Sequence, residues 1–125
     1  MATPSTTVHH FNTPISFKLN DDNFLVWKQQ VLATLRGLEL THFLYGSVVP
    51  SEFLPTQNNS TLENPEHCSY KKLDQLLVAW LLASMSASLL IKMVGLDSSA
   101  EIWHRLLTHY ISHRAMITIS KEPQE

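Results

Sequence analysis

Apolar side chains recur at helical spacing early in the chain. This stripe is formed by Phe24, Trp27, Val31 and Leu35, and it is widened by Leu25 and Leu32. Such spacing is typical of an amphipathic helix. Asp21 or Asp22 can accept the free N–H groups of the first turn, and Gly37 supplies a C-terminal stop. The pattern predicts a first helix over residues 22–36.

A second long segment is apolar on much more than one face, which favours a helix at the centre of a bundle over residues 66–86. Its apolar residues include Leu73, Leu76, Leu77, Trp80 and Leu81. Ser98 and Glu101 then form a capping box before another apolar run that contains Trp103, which predicts a helix over 98–113. Shorter helical stretches are expected at 38–44, ended by Gly46, and at 86–94.

Three segments lack helical periodicity. Residues 1–18 contain Pro4 and Pro14 and predict a flexible arm. Residues 50–65 are rich in proline and asparagine and predict a mobile loop. Beyond His113 the apolar residues alternate, so residues 114–125 are expected to form a divergent, flexible tail. The predicted fold is therefore all-α, a small helical bundle formed by one domain at 19–113.

Composition narrows the classes of function. The chain is 44% hydrophobic and 16% charged, so it can build a core, and its net charge of -2 argues against a stand-alone nucleic-acid module. The uncharged run from Leu76 to Ile91 is shorter than the ~20 residues that cross a membrane. No basic and apolar leader begins the chain. We therefore expect a cytoplasmic protein without a membrane partner.

Histidine and cysteine offer weak candidates for chemistry. His109 and His113 lie four residues apart, but Tyr110 occupies the position where an HExxH zinc hydrolase needs a glutamate. Cys68 is the single cysteine, and the neighbouring His67 would point about 100° away from it on a helix. We therefore predict no enzymatic activity, no metal site and no cofactor.

Two further sets of residues have alternative interpretations. Lys71, Lys72, Arg105 and Arg114 belong to two modestly basic patches that are candidates for weak RNA contact, although solvated helix faces are the favoured interpretation. The three tryptophans are most simply core anchors, one in each principal helix. Bulky helical stripes with an uncovered apolar face can also form a groove for a partner or a self-association surface.

Three strings resemble the Gag polyprotein of copia-type LTR retrotransposons. They are Leu19 to Lys28 (LNDDNFLVWK), Asp74 to Met85 (DQLLVAWLLASM), and Gly95-Leu96 followed by Ala100 to Trp103. Leu35-Arg36-Gly37, Gly46-Ser47 and Asn64-Pro65 also match the family pattern. The resemblance extends from about Phe17 to Tyr110; Ser112 to Ala115 still resembles the family's next turn, and the pattern is then lost.

The resemblance implies a structural role, because Gag chains pack into a shell that encloses the element's RNA. It places this chain in the capsid-like N-terminal half of Gag, without the Cys-rich knuckle or the enzymes, as expected of a truncated remnant. We therefore expect weak self-association in capsid-like assembly, with at most weak, non-specific binding to element RNA. The alternative is an adaptor that binds another protein or RNA without assembling. The expected core and motif residues are Trp27, Leu35, Gly37, Leu76, Leu77, Trp80, Leu81 and Trp103.

Overall fold

A computed structural model describes residues 15, 17–46, 49–55 and 62–121, the last seven by their backbone alone. Its helices are α1 (Phe24–Gly37), α2 (Pro65–Ala83), α3 (Ala87–Lys92) and α4 (Ser99–Lys121), with a 3-10 helix at Thr41–Tyr45. Two short strands, β1 (Phe53–Leu54) and β2 (Leu62–Glu63), pair antiparallel. The predicted class, a small and mostly helical domain, is confirmed.

The core lies where α1, α2 and α4 meet. Trp27 is fully buried, Trp103 is 2% exposed and Trp80 is 9% exposed, so each principal helix contributes one tryptophan as expected. The rings of Trp27 and Trp103 stack with centroids 6.0 Å apart, and those of Phe24 and Tyr110 stack at 4.2 Å. Trp27 follows Phe24 along α1, whereas its partner Trp103 precedes Tyr110 along α4. The two helices therefore run antiparallel.

Helix α1 begins at Phe24, two residues after the predicted start at residue 22. Its N-cap residue is Asn23, whose Oδ1 accepts the N–H of Asn20 at 2.8 Å. The predicted capping by Asp21 or Asp22 is therefore wrong. The chain forms a local turn here instead, in which the Asp22 N–H donates to Asn20 Oδ1 at 2.8 Å.

The same helix ends in a Schellman motif centred on Glu39. The Leu40 N–H donates to the Leu35 carbonyl at 2.8 Å, and the Glu39 N–H donates to the Arg36 carbonyl at 3.1 Å. Glu39 has a φ of 60° and takes the left-handed conformation that ends the helix. The stop predicted at Gly37 is therefore displaced by two residues, because Gly37 is still helical.

Helix α2 begins at the predicted Asn64-Pro65 pair. Asn64 Oδ1 accepts the N–H of Glu66 at 3.0 Å, and Pro65 occupies the first helical position, where no N–H is needed. The expectation that this helix is buried on nearly all sides is wrong. Leu77 and Leu81 are fully buried, but Leu76 is 53% exposed because it lies on the face turned away from α1 and α4.

The N-terminal segment packs against the end of α2. Leu19 is fully buried and forms a parallel bridge with Met85, in which the Leu19 N–H donates to the Ser84 carbonyl at 2.7 Å. Ile15 and Phe17 pack partly buried against the core. The flexible arm predicted for residues 1–18 therefore cannot include these last residues, because their apolar side chains contact the core. Residues 1–14 lie outside the described part of the chain.

The segment predicted as a mobile loop at 50–65 contains the strand pair. Phe53 lies opposite Glu63 and Leu54 lies opposite Leu62. Asn64 Nδ2 donates to the Ser51 carbonyl at 2.7 Å, which joins the hairpin to the start of α2. Sequence reasoning missed this pairing because the two strands have only two residues each. Residues 56–61 lie outside the described part, and the mobility of the loop stays a prediction.

Helix α4 has the predicted capping box and a later end than predicted. The Glu101 N–H donates to Ser98 Oγ at 3.2 Å, and Glu101 Oε1 accepts the Ser98 N–H at 3.2 Å. The backbone stays helical to Lys121, so residues 114–121 are not the flexible tail that we expected.

Candidate interaction surface

The resemblance motifs meet at a buried hydrogen bond. Trp27 Nε1 donates to Ser84 Oγ at 2.9 Å, and Ser84 Oγ donates in turn to the Leu81 carbonyl at 2.7 Å. The indole of Trp27, in the first turn of α1, thus reaches the C-terminal end of α2. Burial of an indole N–H without a hydrogen-bond acceptor costs free energy, so Ser84 allows Trp27 to be buried by accepting this bond.

The second motif also joins α2 to α4. Asp74 is 5% exposed, and its Oδ1 accepts the N–H of Ser99 at 3.1 Å. Ser99 Oγ donates to the Asp74 carbonyl at 3.3 Å, and Gln75 Nε2 donates to the Asp97 carbonyl at 2.8 Å. A carboxylate at the first turn of α4 satisfies a free N–H and complements the helix dipole. These polar motif residues therefore have structural roles.

A groove of about 490 Å³ runs between the first two turns of α1 and the later part of α4. Phe24 and Tyr110, which stack on each other, contribute to its wall. Its apolar lining includes Leu25, which is 62% exposed, Val26, which is 54% exposed, and Ile111, which is 70% exposed. We call this feature the α1–α4 groove. It is the place where exposed apolar side chains of two principal helices come together.

Charges of both signs line the α1–α4 groove. Asp21 and Asp22 supply two carboxylates, Lys28 and Arg114 supply two cations, and His113 lies among them. With the histidine neutral, the fixed charges of the groove sum to zero. The groove is therefore an amphipathic surface without a strong preference for a partner of one charge.

The Asp21 turn is held to α4 by two polar contacts. His109 Nε2 lies 3.1 Å from Asp21 Oδ1, and this hydrogen bond lowers the pKa of the Asp21 carboxyl. The Tyr110 hydroxyl donates to the Asn20 carbonyl. Burial, followed by the nearby charges of Asp21 and Asp22, raises the pKa of the Tyr110 hydroxyl. Together these contacts fix the N-terminal end of α1 on α4 and so shape the groove.

The four candidate RNA contacts, predicted as two basic patches, lie on α2 and on α4. Arg105 Nη1 donates to the Lys92 carbonyl at 2.9 Å, so its guanidinium contacts the last carbonyl of α3. Arg114 follows Arg105 by nine positions and lies about 180° around α4 from it. Lys71 and Lys72 are exposed on the first half of α2. All four side chains are exposed, Arg105 while bonded to the Lys92 carbonyl, and their contact with RNA stays a prediction.

The histidine and cysteine candidates are also placed by the structure. His109 and His113 lie on one face of α4 with ring centroids 6.2 Å apart, but Asp21 already contacts His109. Across the described residues, no group of three His, Cys, Asp or Glu side chains is arranged to hold a metal ion. Cys68 is exposed, and the His67 ring Nδ1 lies 3.0 Å from the Pro50 carbonyl, to which it donates.

The helices of Trp80 and Trp103 do carry exposed apolar side chains, namely Leu76 and Ile111, whereas the two tryptophans themselves are buried. Leu25 was assigned to the buried stripe, yet it lies about 160° around α1 from Trp27. That angular separation is a signal in the sequence that predicts exposure of Leu25.

Further apolar side chains are exposed outside the α1–α4 groove. On and after α3 they are Leu90, Ile91 and Val94, and around the hairpin they are Tyr45, Val49, Phe53 and Leu62. Ile91 is 74% exposed, more than Ile111 in the groove. Within the described ranges, every helix is too short or too polar to cross a membrane.

The chain is similar to two polyproteins of Arabidopsis thaliana. It is 28% identical over 106 residues to the retrovirus-related Pol polyprotein from transposon RE1. It is 29% identical over 107 residues to the corresponding polyprotein from transposon RE2. Each match covers 85% of this chain, which spans only 7% of the length of either polyprotein. No protein-family profile and no solved structure matches the chain. The chain is thus related to one short region of retrotransposon polyproteins.

Proposed function

We propose that this chain is a non-enzymatic structural domain of Gag type, derived from a copia-type retrotransposon, which self-associates as in capsid-like particle assembly. The observation that carries the proposal is the similarity to retrotransposon polyproteins over 85% of the chain. The motifs that resemble Gag supply buried contacts between helices, such as the bond of Trp27 to Ser84. A domain whose motif residues maintain its shape is suited to assembly.

Self-association is supported by the exposed side chains of the α1–α4 groove. Leu25 and Ile111 are each more than half exposed and belong to different helices. Apolar side chains that are grouped at a surface favour association, because contact removes them from water. The lining combines this apolar area with charges of both signs, which suits a protein partner. We propose that assembly occurs in the cytoplasm.

An adaptor that binds another protein without assembling is the second candidate. It is favoured by the exposed apolar side chains on and after α3, among them Ile91 and Val94, which do not line the α1–α4 groove. For RNA we propose only weak and non-specific contact through Lys71, Lys72, Arg105 and Arg114. The separate positions of these cations and the net charge of -2 support that expectation.

Light scattering across a hundredfold dilution of the purified chain separates the two candidates. Self-association predicts an average mass above 14.2 kDa at the highest concentration that falls toward this value on dilution. A mass that stays at the monomer value throughout would reject self-association and favour the adaptor. RNA titration at two salt concentrations belongs to the same experiment. Tight binding that persists at high salt would reject the expectation of weak phosphate contact.

A further inference from the structure

We propose that the α1–α4 groove is the surface through which two copies of this chain bind each other around a two-fold axis. The inference rests on the proposed self-association and adds to it the contact residues and their symmetry. It follows from three features of the described residues, namely the exposed apolar lining, the balance of charge and the positions of Asp22 and Lys28 on either side of Leu25.

The first feature is the apolar lining. Leu25 and Val26 on α1 are 62% and 54% exposed, and Ile111 on α4 is 70% exposed. They line one groove, so one partner can cover all three side chains together. The hydrogen bonds of Asp21 with His109 and of Tyr110 with the Asn20 carbonyl hold the turn before α1 against α4, which fixes the two walls relative to each other. A preformed apolar groove binds with little loss of conformational freedom.

The second feature is the charge balance, which selects the kind of partner. Two carboxylates, Asp21 and Asp22, and two cations, Lys28 and Arg114, line the groove. A nucleic acid or an anionic lipid surface requires an excess of cations, and the carboxylates would repel it. A surface that meets its own copy must instead carry both signs, since a surface of one sign repels itself. The groove satisfies this condition.

The third feature is the spacing of charges around Leu25. Asp22 lies in the turn that precedes α1, three residues before Leu25, and Lys28 lies on α1, three residues after it. We place the two-fold axis beside Leu25 with the two copies of α1 antiparallel, so that the turn of Asp22 in each copy faces Lys28 of the other. The two leucines then meet at the axis, between two pairs of opposite charge. Such an isologous contact uses one patch twice.

The apolar part of the inference is tested by sedimentation velocity of full-length variants. Ile111→Glu places a charge in the groove, and Ile91→Glu is the matched control, because Ile91 is 74% exposed, against 70% for Ile111, and lies on α3 outside the groove. We expect Ile111→Glu to weaken association by about tenfold or more and Ile91→Glu to leave it unchanged. Circular dichroism of both variants establishes that the fold is retained. Equal effects of the two substitutions would overturn the inference.

The two-fold arrangement is tested by charge reversal. A chain with Asp22→Lys presents two lysines to its own copy, and a chain with Lys28→Glu presents two acids, so each alone is expected to associate more weakly. When the two variants are mixed, opposite charges face each other again in both pairs. We therefore expect the mixture to form a heterodimer with affinity close to that of the unsubstituted chain. A mixture as weak as its components would overturn the arrangement.

The unsubstituted chain, measured in the same runs, separates failure of this inference from failure of the proposed function. If that chain associates and the groove variants associate equally well, the groove is rejected while self-association stands. If that chain is a monomer at every concentration, both proposals are rejected.

If Lys28→Glu abolishes RNA binding but leaves the mass unchanged, RNA is the occupant. If Ile111→Glu leaves the mass unchanged but makes residues 1–14 sensitive to protease, those residues occupy the groove. Either result overturns the inference.

Discussion

Both faces of α1 carry apolar side chains, but those of the inner face are buried in the core and those of the outer face are exposed. On the inner face Trp27, Val31 and Leu35 are fully buried. On the outer face Leu25 and Val26 are more than half exposed. The inner face packs against the 3-10 helix, α2 and α4, whereas within the described residues nothing covers the outer face to the same extent. Hydrophobic residues in one helix can therefore serve folding on one face and association on the other.

The difference extends to the polar groups beside each face. At the inner face the Trp27 indole N–H and the Ser84 hydroxyl have defined hydrogen-bond partners. At the outer face Asp22 is exposed and contributes its backbone N–H to the local turn, while its carboxylate lines the groove. Substitutions on the inner face should therefore lower the free energy of unfolding, and substitutions on the outer face should change association.

The largest expected effect is that of Trp27→Ala. It removes a fully buried indole and leaves a cavity, which typically costs ~3–5 kcal/mol in the free energy of unfolding. Trp80→Ala should have a loss of the same order, because Trp80 is 9% exposed. Urea denaturation followed by circular dichroism measures both. Trp27→Phe is the control, since it keeps an aromatic ring and should lose clearly less. A Trp27→Ala chain with unchanged stability would contradict the division of the two faces.

Asp74→Ala comes next. It leaves the buried N–H of Ser99 without its acceptor, which should lower the free energy of unfolding by about 1–3 kcal/mol. Asp74→Asn keeps an oxygen in the position of the acceptor and should lose less, although the favourable negative charge at the start of α4 is gone. Thermal unfolding of the three chains measures the difference. Equal losses for Ala and Asn would show that the hydrogen bond to Ser99 contributes little.

Tyr110→Phe should have a smaller effect at neutral pH and a distinct effect at alkaline pH. It removes the hydrogen bond to the Asn20 carbonyl, worth about 1 kcal/mol. Burial raises the pKa of Tyr110, so the folded chain keeps a proton that the unfolded chain releases near pH ~10. This contribution to stability is complete below that pH and is lost as the pH rises toward the higher pKa.

Urea denaturation at pH 7 and at two values above pH 10 measures the alkaline effect. The unsubstituted chain should lose stability over that interval, and the difference between it and Tyr110→Phe should become smaller. Tyr45→Phe is the control, because Tyr45 is 64% exposed. The same alkaline loss in the unsubstituted and Tyr110→Phe chains would contradict the role given to this hydroxyl.

The smallest expected changes in stability are those of substitutions at the C-terminal end of α1. They test whether the helix ends at Gly37, as predicted, or continues through it, as observed. Gly37 is helical, and no heavy atom lies within 4 Å of the position where a Cβ would stand. Gly37→Ala should therefore stabilise the chain by roughly 0.5–1 kcal/mol. Glu39 holds a φ of 60°, so Glu39→Gly should also stabilise, by relief of backbone strain. Thermal unfolding measures both effects. A lower stability of the Gly37→Ala chain would contradict the helical conformation of Gly37 and favour the predicted end of α1 at this residue.

Local signals in the sequence predicted much of the fold. The tryptophan spacing located the three long helices, and the Ser98–Glu101 capping box located the start of α4, because both depend on neighbours within one turn. The hydrogen bonds of Trp27 with Ser84 and of Tyr110 with Asn20 join residues distant in sequence, so no local pattern predicts them. The α1–α4 groove was missed for the same reason, since it exists only once α1 and α4 are packed together.

Sedimentation equilibrium of the unsubstituted chain and of Leu25→Glu, at matched concentrations, tests most directly the claim that the outer face of α1 serves association. The account predicts a concentration-dependent mass above the monomer value for the unsubstituted chain and a mass near 14.2 kDa for Leu25→Glu. The free energies of unfolding of the two chains in their monomeric state should agree within about 0.5 kcal/mol, because Leu25 is largely exposed. Equal masses for the two chains, or unfolding of the Leu25→Glu chain, would contradict that claim.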